Sequence, residues 1–247
     1  MSGGMQHQVP APDRRPGELL AAALGTFLLL VFVPAIGFQF LLEAGLVPAV
    51  ATGPGEVALR REAGLALFAL AGGIIWLSTR VVPLPVAWQP LAALSVLRAY
   101  VPLAACWWLL LVLYLRAMQA VGHAVAPQDT LQYFAGADPA RPGFWVALLA
   151  TSCMAPLAEE VVFRGHLQGA LRAATGPRTA IVLQGLVFGL VHGIDYAVPI
   201  ALLGMFFGWL RERQGSMLAP VLAHAVHNAS VALLTLAFPG SLTWLYT

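Results

Sequence analysis

The chain has 247 residues, of which 60% are hydrophobic and 10% charged, whereas an ordinary soluble domain carries about a quarter charged residues; its composition is that of a membrane protein, with the lipid bilayer as its first partner. All 13 basic residues are Arg and the net charge is +2, so the positive groups are scattered anchors and not a face that could neutralise a run of phosphates, which excludes nucleic acid as a partner. The two cysteines, Cys106 and Cys153, both sit in apolar runs, which excludes a disulfide framework and a cysteine-based zinc site.

Residues 1–18 read as a polar, Pro-rich N-terminal tail. The run that follows, residues 19–42, is uncharged for 24 positions; that is longer than a signal-peptide core of about 7–15 residues and suits a retained helix crossing a bilayer, which needs roughly 20. Arg60, Arg61 and Glu62 close the next loop, and residues 63–79 predict a second span. A third is centred on residues 99–115, so that 19–116 holds three N-terminal transmembrane helices. Residues 117–143, with Asp129, Asp138 and several Pro and Gly, read as the longest loop. From residue 144 to 247 polar groups appear within the apolar helices and not only between them. A fourth helix can run unbroken over 144–172, about 40 Å at 1.5 Å per residue. Segments 179–192, 197–210 and 218–238 bring the count to seven, the fifth and sixth being short enough for tilted or re-entrant forms. The predicted fold is thus all-α, a polytopic membrane helix bundle of about seven transmembrane helices.

Three consecutive helices carry a GxxxG spacing, at Gly165 and Gly169, Gly185 and Gly189, and Gly204 and Gly208. Such pairs let helix backbones approach closely in lipid, which predicts one tight bundle for the second half. The distribution of Arg between alternate loops places the N-terminus in the cytoplasm.

Of the 11 acidic residues, Glu159 and Glu160 are read as lying well inside an apolar run, where an ionisable group costs at least ~2.5 to 3.5 kcal/mol on insertion scales and marks a functional site by default. Glu160 and Arg164 stand at i and i+4, the favourable order for an ion pair. Glu159 points about 100° away on the same helix, lacks that partner and is the candidate base. The bland alternative is that both glutamates only bind Arg164 and Arg172 to fix helix packing. His192 follows Phe188 by four residues, and His224 and Asn228 share one face of the last helix. His227 lies only about 60° around the helix from His224; it and His166 are ranked as supporting or structural. His7 and His123 fall in tail and loop and read as solvated.

EEVVFR, Phe188 to His192 and His224 to Asn228 match EExxxR, FxxxH and HxxxN motifs in order on three hydrophobic helices. With Ala155 and Pro156 before the glutamates and Gly165 after the arginine, the chain resembles the CPBP family of intramembrane endopeptidases, which includes the CAAX-prenyl proteases and the bacteriocin-processing Abi proteins. The resemblance covers roughly residues 144–238 and leaves the first three spans unmatched.

The resemblance implies that Glu159 and His192 hold and deprotonate a water, that His224 and Asn228 face the oxyanion, and that Glu160 and Arg164 orient these groups or grip the substrate backbone. No cofactor is required on this reading. The alternative is zinc held by Glu159, His192 and His224 as a His2Glu set, although HExxH is absent. A peptide or protein substrate is expected, its identity and any prenylation being beyond the sequence. Rival functions are an inactive Abi-type binding or immunity scaffold and, less favoured for want of internal repeats, a transporter. The Ala-, Gly- and Arg-rich composition suggests a multi-pass protein of a bacterial cytoplasmic membrane.

Overall fold

The computed structural model describes residues 15–51, 53–80, 82–90 and 92–246; most of the predicted polar tail, with His7, lies outside the described residues. Among them the chain forms nine helices and no strand: α1 (Pro16–Glu43), α2 (Pro54–Ser78), α3 (Ala93–Ala120), α4 (Asp129–Ala135), α5 (Pro142–Thr175), α6 (Pro177–Val191), α7 (Ala197–Gln214), α8 (Leu218–Ala237) and α9 (Gly240–Tyr246). Proline opens α1, α2, α5 and α6, where its missing N–H costs nothing and its fixed φ suits the first turn. Six helices are long and apolar enough to cross a membrane, namely α1, α2, α3, α5, α7 with the short turn before it, and α8; α6, at 15 residues, is shorter. This is the polytopic bundle expected, with one difference in where the short helix falls: α7 reaches Gln214 and is not short.

Two further boundaries differ from expectation. Helix α2 begins at Pro54 and not at residue 63, so Arg60, Arg61 and Glu62 lie within it; charged residues are good helix formers and mark a loop only when other signals agree. Arg60 is held there by its bonds to the carbonyls of Pro48 and Ala49. The segment read as a loop, 117–143, contains α4, whose Tyr133 and Phe134 pack on Phe144 and Ala147 of α5 and Ala232 of α8.

Helix α5 is the centre of the bundle. Half of its most apolar 18-residue window is buried in protein, against 22%, 17% and 17% for α1, α2 and α3, whose apolar surfaces are largely left for lipid. It is not a regular α-helix: residues Ala150–Met154 and Val161–Leu167 form π turns on either side of the six-residue α segment Ala155–Glu160. Pro156 follows the first π turn. In a regular helix its ring would clash with the carbonyl four residues back, and the wider π turn accommodates it. Val161, Val162 and Phe163 then pack on Leu30, Ile75, Leu84 and Phe188.

The glycine pairs do two different things. A Cβ at Gly189 would stand 2.2 Å from the Ala197 carbonyl oxygen, and one at Gly185 2.9 Å from the Met205 backbone nitrogen, so α6 and α7 touch backbone to backbone there. Gly204 and Gly208 of α7 leave room for side chains instead: a Cβ would meet Phe188 and Arg164 at the first, Gln184 and Gln168 at the second. Gly165 and Gly169, also expected to seat a helix, receive the α2–α3 linker, Leu84 Cδ2 and Pro85 Cγ standing 2.7 and 2.6 Å from the Cβ positions. That linker is itself anchored to the α7–α8 turn through Met217 N–H to Ala87 O, 3.1 Å, and Ser216 Oγ–H to Gln89 O, 2.7 Å.

Candidate active site

Glu159 and Glu160 occupy the α segment between the two π turns of α5, and they differ in their contacts as well as in angle. Glu160 is fully buried; its Oε1 accepts from Arg164 Nη1 at 2.9 Å and lies 2.8 Å from His224 Nδ1. Arg164, also fully buried, extends to the Gly204 carbonyl with Nη2 at 3.1 Å and lies with its guanidinium carbon 4.1 Å from the centre of the Phe188 ring and 5.3 Å from that of Phe207. One glutamate and one arginine therefore bind α5 to α7 and α8. A Cβ on Gly204 would come within 3.2 Å of Arg164 Nη2, which is why this carbonyl can be reached. Breaking such a buried pair by removing one partner leaves an uncompensated charge, at a cost of about 3–5 kcal/mol.

Glu159 makes no ion pair with Arg164. Its Oε2 lies 3.8 Å from His192 Nε2 and 3.8 Å from His224 Nε2. Both separations are too long for direct hydrogen bonds. His192 is the residue after the end of α6, followed by Gly193 at φ 97°, a backbone conformation that suits glycine. Its Nδ1 is 2.7 Å from the Phe188 carbonyl; a carbonyl only accepts, so the proton sits on Nδ1 and Nε2 presents a lone pair when the ring is neutral. His224, in α8, turns Nδ1 to Glu160 and Nε2 to Glu159, with its ring stacked on Phe207 at 4.7 Å and met edge-on by Phe188 at 5.9 Å. Asn228, one turn along α8, gives Nδ2–H to the Thr151 carbonyl at 3.0 Å; this carbonyl belongs to the first π turn. An amide has two such hydrogens, so one remains for another partner.

Glu159, His192, His224 and Asn228 all line one cavity of about 690 Å³. Its other walls come from α3, α4 and α9, including Trp107, Trp108, Leu131 and Leu245. A largely apolar pocket with a few convergent polar groups is the usual form of a binding site. Arg172, weighed above as a partner for the glutamates, pairs instead with Glu212 at 3.0 Å, and Glu212 also accepts from Gln168 at 3.0 Å and from Arg211. His123 pairs with Asp195 at 2.8 Å near the surface, and His166 is fully buried. Glu62, expected in a loop, is a second buried carboxylate in a span beside Glu160; it accepts from Tyr133 Oη at 3.1 Å and Arg141 Nη2 at 3.4 Å. Burial and this carboxylate hold the Tyr133 phenol well above its ordinary range.

The zinc alternative can be tested on these positions. Two donors of a tetrahedral zinc with bonds of about 2.0–2.2 Å stand about 3.4 Å apart, and both Glu159–imidazole separations are longer. Among the described residues no three His, Cys, Asp or Glu side chains are gathered closely enough to hold a metal ion. The separations from Glu159 are wider than those of a formed zinc site, and no step below passes through a metal.

Phe207 and Thr151 escape sequence reasoning, and Gly204 is visible there only as half of a GxxxG spacing. Phe207 carries no signal beyond composition; Thr151 acts through its carbonyl, which no residue type announces. Phe188 was visible only as the first letter of a motif.

Residues 141–230 match the Type II CAAX prenyl endopeptidase Rce1-like family. Over 90 residues the chain is 28% identical to the "Putative membrane peptidase YdiL" of Bacillus subtilis (strain 168), an alignment covering 36% of this chain and 37% of that protein. The chain thus spans little more than a third of that relative's length, and no solved structure matches it. The matched residues contain all three polar motifs and the central helix that carries the glutamates, and over this segment of a multi-pass membrane protein the chain is similar to the Rce1-like endopeptidases.

Proposed function

We propose that the protein is an intramembrane endopeptidase that hydrolyses a peptide bond of a membrane-associated protein or peptide, with Glu159 as the base. The observation that carries this is the pair of 3.8 Å separations from Glu159 Oε2 to His192 Nε2 and His224 Nε2. A 3.8 Å separation is one that a water about 2.8 Å from both atoms can bridge, here on the wall of a cavity large enough for a peptide segment.

The water donates one hydrogen to the Glu159 carboxylate and the other to the His192 lone pair. Glu159 takes the first proton as the water oxygen attacks the scissile carbonyl carbon; the new C–O bond forms and the carbonyl electron pair moves onto its oxygen. His224, between the two carboxylates, gives Nε2–H to this oxyanion, and Asn228 gives its second amide hydrogen. The C–N bond then breaks, and the proton held by Glu159 passes to the leaving nitrogen. Glu160 and Arg164 do not react; their ion pair sets the rotation of α5 and the orientation of His224. No cofactor enters this cycle. The Arg distribution and the Bacillus relative support a bacterial cytoplasmic membrane with the N-terminus inside.

The test compares the termini of membrane and secreted peptides in cells carrying the wild-type chain or Glu159→Gln. Termini present only with the wild type are expected. Identical terminal peptides in both would count for a binding scaffold instead.

A further inference from the structure

His227 is a third imidazole on the cavity wall, beside His224 and Asn228, and the mechanism above does not use it. It is buried, 4% exposed, and its Nδ1 lies 3.1 Å from the Tyr100 hydroxyl of α3. Its ring meets Trp107 edge-on at 4.6 Å and Tyr100 at 6.1 Å. These contacts come from α3, outside the 141–230 segment matched to the family, so this side of the cavity is built by the part of the chain that carries no motif. Nε2 has no hydrogen-bond partner among the described residues and is not sealed from the cavity. When the phenol O–H donates to Nδ1, the neutral ring carries its proton on Nε2 and offers an N–H donor.

An extended peptide drawn into an apolar cavity below the headgroups brings carbonyl groups that have lost their water. Each needs a donor or costs several kcal/mol. The geometry points to His227, with its tautomer and orientation set by Tyr100, as a substrate-positioning residue that donates Nε2–H to a backbone carbonyl of the bound peptide beside the scissile bond. Tyr100 acts through His227 and does not touch the peptide. This rests on the endopeptidase reading above and adds a binding contact to it. It needs no proton transfer, so its mark is on KM and binding rather than on kcat.

The test uses the full chain in lipid nanodiscs and a fluorescein-labelled, internally quenched decapeptide of alternating Leu and Ala, read by anisotropy for binding and by dequenching for cleavage. His227→Ala is expected to weaken binding and raise KM about ten- to a hundredfold, the loss of one buried hydrogen bond, with kcat changed less than threefold. His227→Gln, which keeps an N–H donor, recovers most of the loss, and Tyr100→Phe falls between. Wild-type binding and KM in His227→Ala overturn the assignment, as does equal loss in the Ala and Gln variants, or no saturable binding by the wild type. Saturable binding without any cleavage by the wild type sinks the endopeptidase reading on its own, since the binding series does not depend on it, and cleavage by Glu159→Gln at the wild-type rate removes Glu159 as the base.

Discussion

Glu160 Oε1 and His224 Nδ1 are 2.8 Å apart, and the same oxygen is held by Arg164 at 2.9 Å. One carboxylate oxygen thus fixes the rotation of the central helix and aims the imidazole that faces Glu159. Glu160→Gln is expected to lower kcat about 10²- to 10³-fold, the scale of losing an oxyanion donor, because an amide can present Nδ1 with a donor as easily as an acceptor. It also leaves the Arg164 charge unpaired. Thermal unfolding in detergent is expected to show about 3–5 kcal/mol of destabilisation; a variant as stable and active as the wild type would contradict the positioning role.

Glu159 has the opposite profile. It makes no direct bond that the fold depends on, its nearest imidazole nitrogens being 3.8 Å away. Glu159→Gln is expected to lower the cleavage rate about 10²- to 10⁴-fold, the contribution of a general base, with an unfolding temperature at or above that of the wild type. Loss of activity accompanied by loss of fold would leave Glu159 with a structural role only.

The α6–α7 contact predicts a contrast between glycines. Gly189→Ala puts a methyl group 2.2 Å from the Ala197 carbonyl oxygen, and backbone cannot move aside as a side-chain tip does. A destabilisation of about 1–3 kcal/mol is expected. Gly64→Ala, in α2 with nothing within 4 Å, is expected to stabilise by about 0.5–1 kcal/mol through reduced chain entropy. Denaturation of the two variants side by side measures both signs.

Metal dependence follows from the spread of the donors. With Glu159 Oε2 at 3.8 Å from each imidazole nitrogen, cleavage is expected to be unchanged after dialysis against a chelator. Activity lost on chelation and restored by zinc alone would reverse the mechanism, with Glu159 becoming a ligand.

The sequence by itself determined the class of the molecule and the register of its polar groups. An apolar run of 20 or more residues in lipid must be helical, since every backbone group has to bond within its own segment, and within a helix the spacing of Glu160 to Arg164 and of His224 to Asn228 decides which residues share a face. Charge was a poorer guide to boundaries: Arg60, Arg61 and Glu62 looked like the end of a loop and lie inside α2. Only the tertiary structure brought the three motifs to one point. Along their own helices His192 and His224 stand at unequal heights, His192 just past the last residue of α6 and His224 only about 9 Å from the start of α8, yet both turn Nε2 to the same oxygen of Glu159. The two π turns of α5, the backbone contact at Gly189 and the aromatic support of His227 by α3 are likewise invisible in a linear pattern. The physical reason is that periodicity reports rotation about one helix axis, whereas the separation between helices depends on which small residues and side chains meet when the axes pack.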